Sequence, residues 1–338
     1  MSNYNRLFHA ISIPYTALIS VVFALMIISF PLGAYIMFNS NIGNDINADY
    51  PVENLDVFLA GINIQFPVQL ELGDIFIVTW SVFVILFTIS IFGPKTNFIK
   101  LIVNYTTNQE QNKNESYIES IIKWFSVIIL ISVIINFIQE SFGITINPPN
   151  VANELIQFYM VTISPITEEI GFRVILIGLP LFLFYSHKSS IRFFFSVLWH
   201  PDRYLHIVNN KKVISLIIGV GIFFGLAHII SGEPWSIGKI SQAAVSGIIL
   251  GWVYYKYGFL PAVLIHWATN YFLLSYVFAI AEIHQISTSN ALSHSLINSL
   301  EIILVLSGII SATIISVSYT HLRAHETRED RGWRRLGV

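Results

Sequence analysis

The chain has 338 residues, a formal net charge of −2 and no cysteine. Charged residues make up 11% and hydrophobic residues 54%, with a mean hydropathy of +0.66, whereas a soluble domain carries about 25% charged residues. The composition excludes a soluble globular enzyme, the charge gives no reason to expect a nucleic-acid partner, and the lack of cysteine removes disulfides, thiolate metal sites and thiol nucleophiles together.

Hydropathy predicts about eight spans, near residues 12–38, 74–93, 120–139, 154–185, 213–230, 236–257, 259–280 and 294–316. Each is close to the ~20 residues that a bilayer requires. The expected fold class is an all-α, polytopic transmembrane helix bundle forming one membrane domain over residues 1–316. The first stretch is too long for a signal-peptide core and has no small-residue cleavage site after it, so it reads as a retained helix. The 39–73 loop carries Asp45, Asp49, Glu53, Asp56 and Glu71 and no Lys or Arg. Lys95, Lys100 and Lys113 follow the second span, Lys188, Arg192, Arg203, Lys211 and Lys212 the fourth, and Lys256 the sixth. This asymmetry puts both termini in the cytoplasm, and Lys239 is the one exception to it.

The 154–185 segment is too long for a single perpendicular span. Ser164-Pro165 predicts a kink before its charged turn, and a carbonyl freed there is tolerable only beside protein or water. At the C-terminus, VSYTHLRAHET (residues 317–327) resembles the translation of a transposon-end adapter used in sequencing libraries. Residues 317–338 therefore read as a non-native tail, and the helical spacing of His321 and His325 carries no metal site.

The chemistry lies in FYMVTISPITEEIGFRVILIGLPLFLFY, residues 158–185. A charge at the centre of a membrane helix costs about 2.5–3.5 kcal/mol on insertion scales, and here Glu168, Glu169 and Arg173 share one apolar segment. Glu169 and Arg173 are four apart and can pair. Glu168 lies about 100° around the helix, which leaves it available as a general base. His228 sits in the fifth expected span with Phe224 one turn earlier, where the ring can pack beneath the imidazole. His266 and Asn270 share a face of the seventh and can donate into a common cavity. Each group also has a bland explanation: a neutralised packing cluster, a helix-packing histidine, an interhelical polar clamp. Gly221 with Gly225, and Gly247 with Gly251, form small-residue faces for close helix approach. Ser246-Gly247 lacks the full Gly-x-Ser-Gly because Ala244 stands first, no His-Glu-x-x-His occurs, and no Asp lies deep in a span. Those absences disfavour the serine, zincin-type and paired-aspartate classes of intramembrane protease. His187, His200 and His206 read as solvated or interfacial.

Taken in order, Glu168-Glu169-x-x-x-Arg173, Phe224-x-x-x-His228 and His266-x-x-x-Asn270 resemble the three motifs of the CAAX protease and bacteriocin-processing (CPBP) family of intramembrane endopeptidases, which includes the type II CAAX prenyl endopeptidase. The resemblance covers about residues 154–275. One departure is Val174, where members commonly have Gly after the motif Arg. The resemblance implies that Glu168 and His228 activate water, that His266 and Asn270 stabilise the oxyanion, and that Glu169, Arg173 and Phe224 support the geometry. It implies a membrane-associated or lipidated peptide or protein as substrate, membrane lipid as surroundings, and a multi-pass protein of a prokaryotic-type cell membrane. Bacteriocin maturation or self-immunity is the usual suggestion for such relatives. No cofactor is favoured, because Asn270 is a poor zinc ligand; were zinc bound, Glu168, His228 and His266 would be its ligands. A non-catalytic membrane scaffold and a proton-coupled transporter are the alternatives, and the internal repeat that a transporter predicts is not visible. Counted at 1.5 Å per residue, His266 falls roughly 10 Å and His228 roughly 22 Å from the cytoplasmic edge, an offset that a shared site must bridge.

Overall fold

The computed structural model describes residues 3–43, 46–93, 97–106, 116–147, 153–188, 190–207, 210–230 and 235–336, without the side chains of 3–13, Asp56, Phe58, 104–106 and 318–336. Lys95, Lys113 and Asp45, three of the loop charges used to orient the chain, lie outside the described residues, as do the side chains of His321 and His325.

In chain order, helix α1 (Asn3–Asn39) leads into strands β1 (Pro51–Leu59) and β2 (Ile62–Glu71). Helices α2 (Leu72–Phe92), α3 (Phe98–Thr106), α4 (Tyr117–Ser141) and α5 (Glu154–Glu169) follow. A π-helical stretch, Ile170–Gly178, joins α5 to α6 (Leu179–Tyr185). Then come α7 (Ile191–Trp199), α8 (Pro201–Tyr204), α9 (Asn210–Ile230), α10 (Lys239–Tyr257) and α11 (Phe259–Trp267). A second π-helical stretch, Ala268–Phe272, connects to α12 (Leu273–His284), and α13 (Thr288–Leu292) and α14 (Ser295–Leu336) end the chain.

Among the described residues six helices are long and apolar enough to cross a membrane: Pro14–Asn39, Leu72–Phe92, Tyr117–Ser141, Asn210–Ile230, Phe259–His284 and Ser295–Val317. This is an integral, multi-pass, helical membrane protein. The other two expected spans are helical as well. Residues 154–185 run continuously through α5, the π-helical stretch and α6, and α10 covers 239–257. The first holds Glu168, Glu169 and Arg173 in the middle of its run, and the second has Lys239 and Lys256 at its two ends. The irregularity expected at Ser164-Pro165 is displaced. Helix α5 continues through Pro165 to Glu169, and the change of hydrogen bonding begins just after the glutamates, where π-helical turns concentrate at functional sites.

The 39–73 loop is not irregular: it adds a two-stranded hairpin to the all-α bundle. Strands β1 and β2 pair antiparallel, with Leu59 opposite Ile62, Val57 opposite Ile64 and Leu55 opposite Phe66. They are joined by Ala60 (φ +51°) and Gly61 (φ +89°), the two positive φ angles that a tight two-residue hairpin requires. The turn lodges against the charged helix. A Cβ on Gly171 would lie 2.3 Å from the Ala60 nitrogen, and one on Gly61 would lie 2.8 Å from Cζ of Phe223.

Two packing arrangements fix the elements around the site. Helices α9 and α10 approach through their glycines: a Cβ on Gly221 would lie 2.7 Å from the Ile248 nitrogen, and one on Gly225 would lie 2.6 Å from the Ile240 oxygen. Such contact is how small residues hold membrane helices together where lipid offers no hydrophobic drive. Helix α11 is tied to α1 by stacked rings, Trp267 on Phe30 at 4.8 Å and Trp267 on Tyr271 at 5.1 Å. The Tyr271 hydroxyl donates to the Ser29 carbonyl at 3.1 Å. His266 is therefore presented from a rigid helix.

Candidate active site

Glu168 and Glu169 close α5, one residue before the π-helical stretch that carries Arg173. Glu169 and Arg173 are fully buried, and Arg173 Nε lies 3.2 Å from Glu169 Oε2. The guanidinium sits over the Phe224 ring, 4.5 Å from its centroid, an arrangement that suits a planar cation with few remaining partners. The pair read from the sequence thus forms, but Glu169 is not engaged by Arg173 alone. Its Oε1 is 2.9 Å from Nδ1 of His266. An ionised carboxylate only accepts, so Nδ1 carries the hydrogen and Nε2 is turned toward the other side of the ring.

That other side holds Glu168 and Asn270. Glu168 Oε2 lies 3.7 Å from His266 Nε2 and, although buried, has no hydrogen-bond partner among the described residues. Asn270, in the second π-helical stretch, has its Nδ2 3.4 Å from His266 Nε2 and donates to Ser164 Oγ at 3.2 Å. Thr269 donates to the His266 carbonyl at 2.7 Å and steadies the same turn. His266 lies in the last turn of α11 and Asn270 within the π-helical stretch that follows.

His228 completes the group from α9. Its Nδ1 is 2.8 Å from the Phe224 carbonyl, which can only accept, so the hydrogen is on Nδ1 and Nε2 keeps a lone pair. Phe224 meets both imidazoles edge-on, His228 at 4.8 Å and His266 at 5.8 Å. This one ring bridges the depth offset counted along the helices. Glu168 and His266 both lie within electrostatic reach of His228. The structure therefore brings Glu168, Glu169, His266 and Asn270 together directly, with His228 alongside across Phe224.

Among the described residues no group of three or more His, Cys, Asp or Glu, the alternative zinc set Glu168, His228 and His266 included, is placed to hold an ion. His200, expected as solvated or interfacial, is buried, with its ring against Gly258. Two neighbours of the site are absent from the motif residues. Ser164 stands one helical turn before Glu168, a spacing that could have flagged it. Lys239 reaches the site's edge from the start of α10, and its only sequence signal was its exceptional charge.

With this geometry in place, the comparison with known proteins adds a likeness over part of the chain. Residues 151–272 match the family model described as type II CAAX prenyl endopeptidase, Rce1-like. The match contains every motif residue, Glu168, Glu169, Arg173, Phe224, His228, His266 and Asn270, and bears out the resemblance drawn from the sequence. No curated protein and no solved structure matches the chain.

Proposed function

We propose, from that family match and the convergence around His266, that the chain is an intramembrane endopeptidase that cuts a membrane-associated or lipidated peptide with activated water. The observation that carries this is the opposition of Glu168 Oε2 and His266 Nε2 at 3.7 Å. The separation is too long for a direct hydrogen bond and short enough for one water to touch both.

In the proposed reaction Glu168 removes a proton from water while the His228 Nε2 lone pair accepts the second O–H. The water oxygen attacks the carbonyl carbon of the scissile amide. The oxyanion accepts from Asn270 Nδ2 and from an N–H at His266 Nε2, with the ring oriented by Glu169 as a carboxylate orients a catalytic imidazole. Collapse breaks the C–N bond, and the proton on Glu168 passes to the leaving nitrogen. Arg173 pairs with Glu169 and holds it in place. The proposed membrane arrangement has eight spans, with residues 154–185 and α10 added to the six apolar helices, and both termini in the cytoplasm. Substrates would be of the CAAX type or peptides of the bacteriocin-processing and immunity kind.

The test is hydrolysis of a peptide library in detergent by wild type and by Glu168→Ala. Turnover by wild type that the variant loses supports the assignment, and equal turnover rejects Glu168 as the base.

A further inference from the structure

Lys239 breaks the charge pattern of the loops, and its surroundings give a reason. It begins α10, next to the end of α9 that carries His228. The Trp235 nitrogen donates to the His228 carbonyl at 3.0 Å, and Lys239 Nζ lies over the Trp235 ring, 4.2 Å from its centroid. The close approach of Gly225 to Ile240 holds this corner against the turn that carries Phe224 and His228. The ammonium is partly buried and within electrostatic reach of Glu168. Its one hydrogen bond among the described residues is to Gln242 Oε1, at 3.0 Å, and it takes part in none of the ion pairs found there. An ammonium has three donors, and a cation inside a membrane bundle ordinarily has an anionic partner. Here a ring and one amide oxygen hold it in place and leave donors for an anion arriving beside the catalytic carboxylate.

We infer that Lys239 is a substrate-binding residue that receives a carboxylate of the peptide, its free C-terminus, on the edge of the site. This deepens the endopeptidase reading and rests on it: the bond cut would lie near the end of the substrate chain. Trp235 supplies an apolar wall for the last side chain, and Gln242 orients the ammonium. If Lys239 served only to neutralise Glu168, its loss would weaken all peptides alike, whatever their C-terminus.

The experiment measures binding and not turnover. A short apolar peptide, N-methylated along its backbone so that it is not cut, is titrated as the free acid and as the C-terminal amide. The receptors are the detergent-solubilised full chain as wild type, Lys239→Gln and Lys239→Arg. Wild type should bind the acid about tenfold more tightly than the amide, as expected for one added hydrogen bond to a charged group. Lys239→Gln should bind both forms as wild type binds the amide, and Lys239→Arg should keep the preference. Equal binding of acid and amide by wild type, as when an anionic lipid occupies the ammonium, would overturn the inference. So would an acid preference that survives in Lys239→Gln, or an equal loss for both peptides in that variant. Because no hydrolysis is involved, failure of the endopeptidase reading would show separately, as absence of turnover.

Discussion

His266 Nδ1 lies 2.9 Å from Oε1 of Glu169, and the same carboxylate holds Arg173 through its other oxygen at 3.2 Å. Glu169 thus links two charged motifs on different helices. It fixes the hydrogen of the imidazole on Nδ1 and so decides what Nε2 can do opposite Glu168.

The first prediction concerns this link. Removing one partner of a buried ion pair costs about 3–5 kcal/mol, because the other charge stays buried alone. Glu169→Gln and Arg173→Met should each lower the thermal stability of the detergent-solubilised protein by that order. The double variant should be less destabilised than the sum of the two. Additive losses would show that the two side chains are not coupled.

Asn270 Nδ2, 3.4 Å from His266 Nε2, is assigned to the oxyanion. Loss of one such donor costs about 10²–10³ in kcat. Asn270→Ala should show that fall with little change in KM, measured by steady-state hydrolysis. A change confined to KM would move Asn270 from the transition state to ground-state binding.

The hairpin turn presses on the charged helix at Gly171, where a Cβ would meet the Ala60 backbone at 2.3 Å. Backbone gives way less readily than a flexible side chain, and overpacking of this kind costs about 1–3 kcal/mol. Gly171→Ala should lower stability by that order and make the 60–61 turn more susceptible to limited proteolysis. Unchanged stability and susceptibility would mean that the turn is not seated there.

Helix α9 gives a matched pair of substitutions. A Cβ on Gly221 would lie 2.7 Å from the Ile248 nitrogen, whereas one on Gly219 meets nothing within 4 Å. Gly221→Ala should separate α9 from α10, shift His228 and reduce both activity and stability. Gly219→Ala should be neutral or stabilising by about 0.5–1 kcal/mol, because alanine favours the helix interior. Equal effects of the two would deny the close helix contact.

The site was legible in the sequence wherever a charge was too costly to be incidental: Glu168, Glu169 and Arg173 declare themselves by lying in a run built for lipid. The polar pair His266 and Asn270 was legible by its spacing. The Glu169–His266 bond was not, because it joins positions 97 residues apart and depends on how α11 leans on α5. The π-helical stretches are a matter of hydrogen-bond register, which composition does not report. The hairpin left a signal that its acidic residues obscured: Ile62, Ile64 and Phe66 alternate as a strand should, directly after Ala60-Gly61. The helices around it were plain because bilayer length and apolar runs admit few other structures.

The most direct measurement compares peptide hydrolysis in 18O-labelled water by wild type and by Glu168→Gln, with both shown to be folded by thermal unfolding. Wild type should place one labelled oxygen in the new carboxylate, and Glu168→Gln should lose about 10²–10⁴ in kcat, the range of a positioned general base. Undiminished turnover by the folded Glu168→Gln variant would contradict the assignment of Glu168 as the group that activates water.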